Sequence, residues 1–413
     1  MSKTEKRLIP ELRFPEFEKD GEWEKEVLGH ILIFQTGYPF DSKGFNENMN
    51  GVRLIKNRDL KSDDKLVFYS KSFDEKYIVN DGDVLVGMDG DFTPHIWKRG
   101  KALLNQRVGR IIATKKGQEV FFYYFLNIHL KRIEERTART TVKHLSHSVV
   151  EKIYEALPKP KEQQKIASCL SSLDDVIAGH TDKLENLKQY KKGLLQNVFP
   201  QDGETVPKLR FKEFEKDGEW NRKLLDDVCK LVRGPFGGAL KKEIFVKEGY
   251  AVYEQSHAIY SDFSNFRYQI DNEKFNELKR FSVKSGDLIM SCSGTMGKFA
   301  IIPEENKSGV INQALLKLTV KKGFDNVFIK MTLETENNQE KLLSQSAGGA
   351  IKNVVSVSQI RELPLLMPSF KEQQKIAFLL SSLDDLIQAE TDKIAQLKIH
   401  KKGLLQRLFP KID

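Results

Sequence analysis

The sequence predicts a mixed α/β (α+β) fold that occurs twice in one chain, with two long helices that form an antiparallel coiled coil. Three observations predict this fold: two pairs of near-identical blocks, a heptad pattern in one of those pairs, and short β-like runs separated by turns in the stretches between them. A repeat determines the architecture of a chain independently of how any single element is assigned.

Each half of the chain begins with a copy of the shorter block. Residues 9–23 read IPELRFPEFEKDGEW and residues 206–220 read VPKLRFKEFEKDGEW, so that 12 of 15 positions are identical. The longer block occupies residues 161–200 and 371–410, and 27 of its 40 positions are identical. The chain is therefore predicted to be a tandem duplication, which is a pseudo-two-fold internal repeat.

The stretches between these blocks, residues 24–158 and 221–368, share only scattered landmarks. The landmark pairs are Gly37 with Gly234, Gly82-Asp83 with Gly286-Asp287, Asn105-Gln106 with Asn312-Gln313, and Lys143 with Lys352. Their offset rises from 197 to 209, as small loop insertions within one shared fold would produce. We expect the two stretches to have the same fold and different surfaces.

These comparisons divide the chain into four parts. They are a first globular domain over 1–158, a long helix over 159–200, a second globular domain over 201–368 and a second long helix over 369–413. Within the globular domains, turn signals and β-like runs predict strands over 52–55, 65–69, 83–87, 107–113, 250–254, 288–292, 300–302 and 315–320. Helical spacing predicts helices over 119–135 and 327–343.

The long blocks carry apolar residues at the spacing of a coiled-coil seam. In the first copy the seam residues are Leu170, Ile177, Leu184, Lys191, Val198, Ile166, Leu173, His180, Leu187 and Leu194. A long helix with one apolar stripe needs a partner, and the matching stripe lies in its own repeat, so we expect an antiparallel pair if the halves are related by an approximate two-fold axis. His180 and Glu390 occupy equivalent seam positions, where they either set the register or are partly exposed at a loose crossing.

Composition favours a polyanionic partner. Lysine and arginine outnumber aspartate and glutamate 67 to 58, which gives a formal charge of +9. The three cysteines are too widely spaced to predict a disulfide framework or a zinc site, which fits a reducing compartment. The start of the chain lacks the apolar stretch of a secretion signal, and the longest apolar run, 120–126, is too short to span a bilayer. We expect a soluble, cytoplasmic protein.

The sequence shows no clustered nucleophile, base or metal-ligand pattern of an active site. The run SGTMGK over 293–298 partly matches a phosphate-binding loop, but the early glycine is missing and Phe299 replaces the metal-binding serine or threonine. Two diverged copies of one active site would also be unusual in an enzyme. A non-catalytic binding protein is therefore the better interpretation.

Two loops at equivalent positions combine glycine, an aromatic ring and cations. They are TGYPFDSKGF over 36–45 and RGPFGGALKK over 233–242. Glycine allows the backbone to approach a partner closely, and cations contact phosphates. The candidate contact residues are Gly37, Tyr38, Phe40, Ser42, Lys43, Arg233, Phe236, Lys241 and Lys242. A plain turn is the alternative interpretation of either loop.

Further candidates come from polar loops elsewhere in both stretches. The amides of Asn105, Gln106, Asn312 and Gln313 can pair with an adenine edge, or they can satisfy local backbone groups. The small-residue turns over 137–147 and 345–356 contribute Lys143, His144, Lys352 and Asn353, and solvated loops are the alternative there. The remaining candidates are Asp91, Lys98 and Lys298.

Taken together, the lead PxLRFxxFxxxGEW and the helix motifs KEQQKIA, SSLDD and KKGLLQ closely resemble the specificity subunit of Type I restriction-modification systems. The resemblance covers essentially the whole chain. It implies two target recognition domains that each read one half of a split site in double-stranded DNA, held apart by the coiled coil as a molecular ruler. Individual base contacts are not transferable, because recognition domains diverge strongly.

The resemblance also implies that the subunit itself does no chemistry and needs no cofactor. In the family, two methyltransferase subunits use S-adenosylmethionine, and the restriction subunits use ATP and Mg²⁺. Two other classes stay open from the residues alone: a stand-alone bivalent DNA-binding regulator, and an enzyme such as a divergent nuclease. The regulator would bind a split site without a methyltransferase, and the nuclease would need clustered carboxylates.

Overall fold

The computed structural model describes residues 8–115, 118–136, 143–235, 237–344 and 357–410. They belong to two compact units, the first formed by 1–182 with 392–413 and the second by 183–391. Each unit therefore combines one globular stretch with parts of both long helices, which are α3 (Pro160–Val198) and α10 (Phe370–Leu408). Each of these helices has 39 residues.

The first unit is built around three sheets in its described residues. The strands are β1 (Glu24–Val27), β2 (Leu32–Thr36), β3 (Phe45–Asn46), β4 (Val52–Ile55), β5 (Phe68–Tyr69), β6 (Ile78–Val79), β7 (Val84–Gly87), β8 (Pro94–Ile96), β9 (Ala102–Leu104), β10 (Val108–Ala113) and β11 (Tyr154–Leu157). The sheets have the orders β1-β11, β2-β10-β7-β8 and β3-β5-β4-β9-β6, and β4 and β9 pair in parallel. Helices α1 (Glu119–Arg136) and α2 (His147–Glu151) complete the unit.

The second unit repeats this plan. Its described strands are β12 (Asn221–Leu224), β13 (Cys229–Arg233), β14 (Phe245–Val246), β15 (Tyr250–Tyr253), β16 (Gln269–Ile270), β17 (Leu288–Ser291), β18 (Phe299–Ile301), β19 (Gly309–Ile311), β20 (Leu315–Val320) and β21 (Pro364–Met367). The orders β12-β21 and β13-β20-β17-β18 match those of the first unit, and β14-β16-β15-β19 corresponds to β3-β5-β4-β9, with β15 and β19 again paired in parallel. In place of β6, the described residues of the second unit have an isolated bridge between Ser282 and Val310. The prediction that both stretches have the same fold is thus confirmed.

The helices of the second unit include one departure from the prediction. They are α4 (Leu225–Val228), α5 (Gln255–Tyr260), α6 (Asn272–Glu277), α7 (Asn326–Glu334), α8 (Glu336–Ser344) and α9 (Val357–Arg361). The single helix predicted over 327–343 is therefore two helices, separated at the extended residue Thr335. The side chains of Thr335 and Asn338 donate to the carbonyl of Thr332 at 2.8 and 2.7 Å, and these bonds satisfy the end of α7 without a continuing helix.

The two long helices pack antiparallel within each unit, as predicted. In the second unit Lys183 contacts Glu390, and Lys191 lies 2.5 Å from Asp384, so positions rise along α3 as they fall along α10. In the first unit the same pair recurs with its members exchanged between the helices, as Lys401 with Asp174. Glu390 is only 9% exposed, which favours the polar seam residue over the loose crossing at that position.

A buried ion pair attaches each lead segment to the start of a long helix. The guanidinium of Arg13 donates to both carboxylate oxygens of Glu162 at 2.9 and 2.8 Å, and Arg210 does the same to Glu372 at 2.8 Å for both bonds. Each arginine also donates to a carbonyl in its own lead, of Gly21 or Gly218. The four charged side chains are at most 7% exposed, and the carboxylates raise the pKa of both arginines.

A backbone hydrogen bond also joins each lead to the end of a long helix. In the second unit the amide of Leu209 donates to the carbonyl of Asn197 at 2.8 Å. In the first unit the amide of Leu12 donates to the carbonyl of Arg407, also at 2.8 Å. The same junction is therefore built in both units.

We expect Glu372→Gln to lower the free energy of unfolding of the second unit by about 3–5 kcal/mol, because Arg210 would keep a buried charge without its partner. Chemical denaturation followed by circular dichroism measures this loss. Lys375→Ala is the matched control, since its ion pair with Glu213 is about half exposed on both sides and should contribute less than about 1 kcal/mol. Equal losses in the two variants would contradict a special role for the buried pair.

The first unit should lose stability as the pH falls from about 6.5 to about 4. His129 is 6% exposed, and burial followed by the charge of Arg132 lowers its pKa from 6.5 to about 4. The folded state then holds this ring neutral, whereas the unfolded chain takes up a proton below about pH 6.5, so the stability present above that pH is lost on acidification, on the order of 3 kcal/mol. Denaturation midpoints measured across this range should fall less steeply in His129→Gln, and an unchanged slope would exclude His129 as the cause.

Candidate nucleic-acid interface

Several loops of the first unit leave its four-stranded sheet at the same end. In the strand register Thr36 pairs with Gly109, Gly87 with Val108, and Val86 with Pro94. The loops 37–41, 88–93 and 105–107 therefore lie side by side. The amides of Gly90 and Leu145 donate to Lys143 and Met88 at 3.0 and 2.8 Å, which adds the segment 143–145 to the group. We call these four segments the loop end of the first unit.

The second unit has an equivalent loop end, formed by residues 234–235, 237–241, 292–298 and 312–314. The amide of Cys292 donates to the carbonyl of Ala314 at 2.8 Å, and the amide of Met88 makes the corresponding bond to Arg107 at 3.0 Å. Arg233 pairs with Leu316 and Ser291 with Leu315, so these loops also emerge together. The two loop ends share one backbone arrangement.

Glycine is required where the first and third landmarks of each unit meet. A Cβ atom on Gly37 would lie 2.1 Å from the carbonyl oxygen of Asn105, and one on Gly234 would lie 1.8 Å from that of Asn312. Both distances are far shorter than real contacts, so only glycine allows the loops to touch. The landmarks that seemed independent in the sequence are thus neighbours in the fold.

The two Asn-Gln pairs divide their roles between structure and surface. The side-chain oxygen of Asn105 accepts from the amide of Gln106 at 2.9 Å, and that of Asn312 accepts from the amide of Ala314 at 3.0 Å. These bonds match the local-backbone alternative for the asparagines. Gln106 and Gln313 are exposed, so their amides are placed where a partner can reach them.

The loop after β2 is partly core and partly surface. Phe40 is 8% exposed and packs against Tyr69 and Tyr77 with ring centroids 4.8 and 6.2 Å away, which corrects its assignment as a DNA contact. Its ring has no free face to offer. Tyr38 is 47% exposed, and Ser42 and Lys43 are exposed in a short turn capped by Asp41.

Ion pairs organise the loop between β7 and β8. Burial by itself raises the pKa of Asp91, but hydrogen bonds from Lys61 and Thr93 outweigh it and lower the pKa to about 2. Asp91 thus stays charged and pairs with Lys61 at 2.5 Å, and this ion pair orders the loop. Lys143 lies 3.4 Å from Glu134, and Lys98 is exposed between β8 and β9.

A second cluster in the same loop end includes Arg107, which was not among the candidate contact residues. The carboxylate of Asp89 lies 2.8 Å from the Nδ1 atom of His144 and 3.5 Å from the Nη1 atom of Arg107. Arg107 was assigned to a strand by its sequence pattern, whereas β10 begins one residue later, at Val108. The signal in the sequence that could have identified Arg107 was its neighbour Gln106, which was already a candidate contact residue.

The corresponding loop of the second unit carries no carboxylate. Its residues 293–298 form a hairpin between two strands, so the SGTMGK run lacks the following helix of a phosphate-binding loop. Lys298 is exposed while its amide donates to the hydroxyl of Ser291 at 3.0 Å. The side chain of Gln255 stabilises the loop, because it accepts a hydrogen bond from the hydroxyl of Ser293 at 3.1 Å and donates one to the carbonyl of Thr295 at 3.3 Å.

The remaining cations of the second unit differ in exposure. Lys241 and Lys242 are exposed, whereas Arg233 is half-buried at the base of its loop. Burial raises the pKa of the neighbouring Cys292 thiol to about 11, with the charge of Arg233 acting in the opposite direction. The candidates Phe236, Lys352 and Asn353 lie outside the described residues.

In the part of the chain that the structure describes, no group of three or more histidine, cysteine, aspartate or glutamate side chains is arranged to hold a metal ion. Among the helices of the same residues, none combines the length and the apolar character needed to cross a membrane.

Comparisons with known proteins agree with this architecture. The family model described as Type I restriction modification DNA specificity domain matches twice, over residues 20–189 and 217–399. The chain is 25% identical over 409 residues to the Type I restriction enzyme EcoBI specificity subunit of Escherichia coli, covering 94% of this chain and 85% of that one. It is 22% identical over 411 residues to the MjaVIII specificity subunit of Methanocaldococcus jannaschii, covering 96% and 93%.

Solved structures show the same fold. The S subunit of a Type I restriction-modification system from M. genitalium matches with a TM-score of 0.63 at 14% identity, over 98% of this chain and 100% of that chain. A chain from a structure of the type I R-M system that addresses complex assembly and conformational transition matches with a TM-score of 0.53 at 16% identity, over 94% and 97%. With two family matches that together cover most of its length, the chain belongs to the family of Type I restriction-modification DNA specificity subunits.

Proposed function

We propose that this chain reads a bipartite target in double-stranded DNA, with one half-site contacted by the loop end of each unit. The observation that carries the proposal is that one backbone arrangement is built twice and presents different side chains each time. Asp89 and Arg107 in the first unit correspond to Ser293 and Ala314 in the second. Two unlike surfaces on one scaffold suit two unlike base sequences.

The energetics of base recognition favour two half-sites. Each well-read base pair contributes about 1–3 kcal/mol of discrimination, so a few base pairs cannot separate one target from the many competing sites in a genome. Joining two readers in one chain makes the second contact intramolecular, which multiplies the affinity for a site that carries both halves. The long helices shared by both units supply that connection.

Catalysis is assigned to partners in this proposal. The chain docks two methyltransferase subunits, which bring S-adenosylmethionine, and restriction subunits, which bring ATP and Mg²⁺, and it binds no cofactor itself. Family membership supports these partners, and one structural relative comes from work on assembly of a type I R-M system. The exposed side chains of Lys241 and Lys298 in the second loop end, and of Lys43 beside the first, fit a polyanionic ligand.

Co-expression with a methyltransferase subunit of the same type of system should give a stable complex that methylates a split motif. Copurification measures the association, and mapping of methylated adenines across a genome gives the motif. Binding of a split site by a folded preparation that never associates with a methyltransferase would favour a stand-alone regulator instead.

Exchanging residues 24–158 for the matching stretch of another family member should change one half of the methylated motif and leave the other half intact. The physical reason is that these residues build the loop end of the first unit only. Methylation mapping of the chimaera is the measurement, and the parent protein is the control. A change in both halves would contradict independent reading.

Lys43→Ala and Lys241→Ala should each weaken DNA binding to a similar extent on target and unrelated duplexes. Lys241 is exposed in the loop end of the second unit and Lys43 in the turn that follows the loop 37–41 of the first, and loss of one phosphate contact lowers the slope of log K against log salt by about 0.9. Fluorescence anisotropy of the methyltransferase complex at several salt concentrations measures the slope. Lys165→Ala on α3 is the control, because Lys165 pairs with Glu16 in the lead segment, and a slope change of the same size there would refute the assignment.

A further inference from the structure

We propose that Arg107 reads a guanine in the half-site contacted by the first unit, and that Asp89 positions it. This inference rests on the proposed function and narrows it to one residue and one base. It also predicts that the second half-site has no equivalent reader at the matching position, where the residue is Ala314.

The position of Arg107 in the backbone is well determined. Its carbonyl accepts from the amide of Met88 at 3.0 Å, and the carbonyl of Ala314 accepts from Cys292 in the same way at 2.8 Å. The residue before Arg107 is the exposed Gln106, and the loop of Gly37 touches Asn105 directly. Arg107 thus lies in the loop 105–107, bonded to the start of the β7–β8 loop and two residues from the contact with the Gly37 loop.

The side chain is oriented and still accessible. Its Nη1 atom lies 3.5 Å from both Asp89 Oδ1 and His144 Nδ1, and the side chain is 55% exposed. Asp89 is itself fixed, since its carbonyl accepts from the side-chain amide of Asn57 at 2.8 Å and it pairs with His144 in a β-bridge. One corner of the guanidinium is therefore held, and the exposed remainder is available to a ligand.

The chemistry of this arrangement favours guanine over the other bases. An arginine offers five N–H donors in a planar fork and accepts nothing, so it matches an edge with two acceptors. In the major groove only guanine has such an edge, its O6 and N7 atoms, whereas adenine and cytosine each present an amino donor there and thymine presents one acceptor beside a methyl group. A carboxylate that holds the guanidinium from one side reduces the entropy lost when the fork binds a base.

The test uses the complex with the methyltransferase subunit and the motif obtained by methylation mapping. Arg107→Ala should still methylate a split motif, with the second half-site and the spacer unchanged, but with one guanine of the first half-site no longer required. In binding assays, replacing that guanine by 7-deazaguanine, which lacks N7, should weaken the parent complex. The affinity gap between the parent and Arg107→Ala on the natural site should be roughly 5- to 150-fold.

The modified base separates base reading from a structural role. The 7-deazaguanine site should cause no further loss in Arg107→Ala, and Arg107→Lys should restore part of the guanine requirement because lysine also donates to O6 and N7. Asp89→Asn should retain the guanine preference with a smaller penalty for 7-deazaguanine. Retention of the second half-site provides the internal control for folding.

Two outcomes overturn the assignment, and they differ from failure of the proposed function. A parent motif that Arg107→Ala keeps unchanged overturns the role of Arg107 alone, as does equal weakening on all sequences, which would mark a phosphate contact. A parent complex that methylates no split motif overturns the proposed function and this inference with it.

Discussion

The buried pairing of arginine with glutamate at the start of each long helix is the interaction on which both units depend. Transfer of two charges out of water costs several kcal/mol per ion and is compensated only by close, bidentate geometry. Arg13 with Glu162, and Arg210 with Glu372, have that geometry and almost no exposure. The lead segment can therefore take only one position on its helix, and the strand that follows each lead, β1 or β12, pairs with the strand that precedes the helix, β11 or β21.

This constraint explains why the identical and the diverged parts of the repeat alternate along the chain. The leads and helices must reproduce one set of buried contacts, among which Gln163 and Gln373 each donate to a proline carbonyl, at 2.8 and 2.9 Å. The loop ends are constrained in this way only by the glycine contacts of Gly37 and Gly234. Their exposed side chains can differ while the backbone beneath them stays the same.

The fold could be predicted from the sequence because its main signals are periodic or repeated. Strand spacing, heptads and internal identity can all be recognised in the sequence without knowledge of tertiary contacts, and they predicted the repeated α/β fold and the antiparallel helices. The candidate site was harder, because exposure depends on partners distant in sequence. Phe40 resembles a loop contact until Tyr69 and Tyr77 cover it, and Arg107 resembles the first residue of a strand until Asp89 and His144 are placed beside it. The break of the helix at Thr335 could not be predicted from the sequence either, because side chains that are compatible with a continuing helix can also cap its end.

The hydrogen-bonded junction between lead and helix indicates how each unit is held together internally. In the second unit, Leu209 and Asn197 are hydrogen-bonded across a short linker, whereas in the first unit Leu12 and Arg407 make the same bond between segments from opposite ends of the chain. Loop-closure entropy grows only with the logarithm of the intervening length, so the packed contacts can bring together ends that lie far apart in sequence. The same contact therefore forms whether a short linker joins the two segments, as in the second unit, or noncovalent packing brings together segments that are distant in sequence, as in the first.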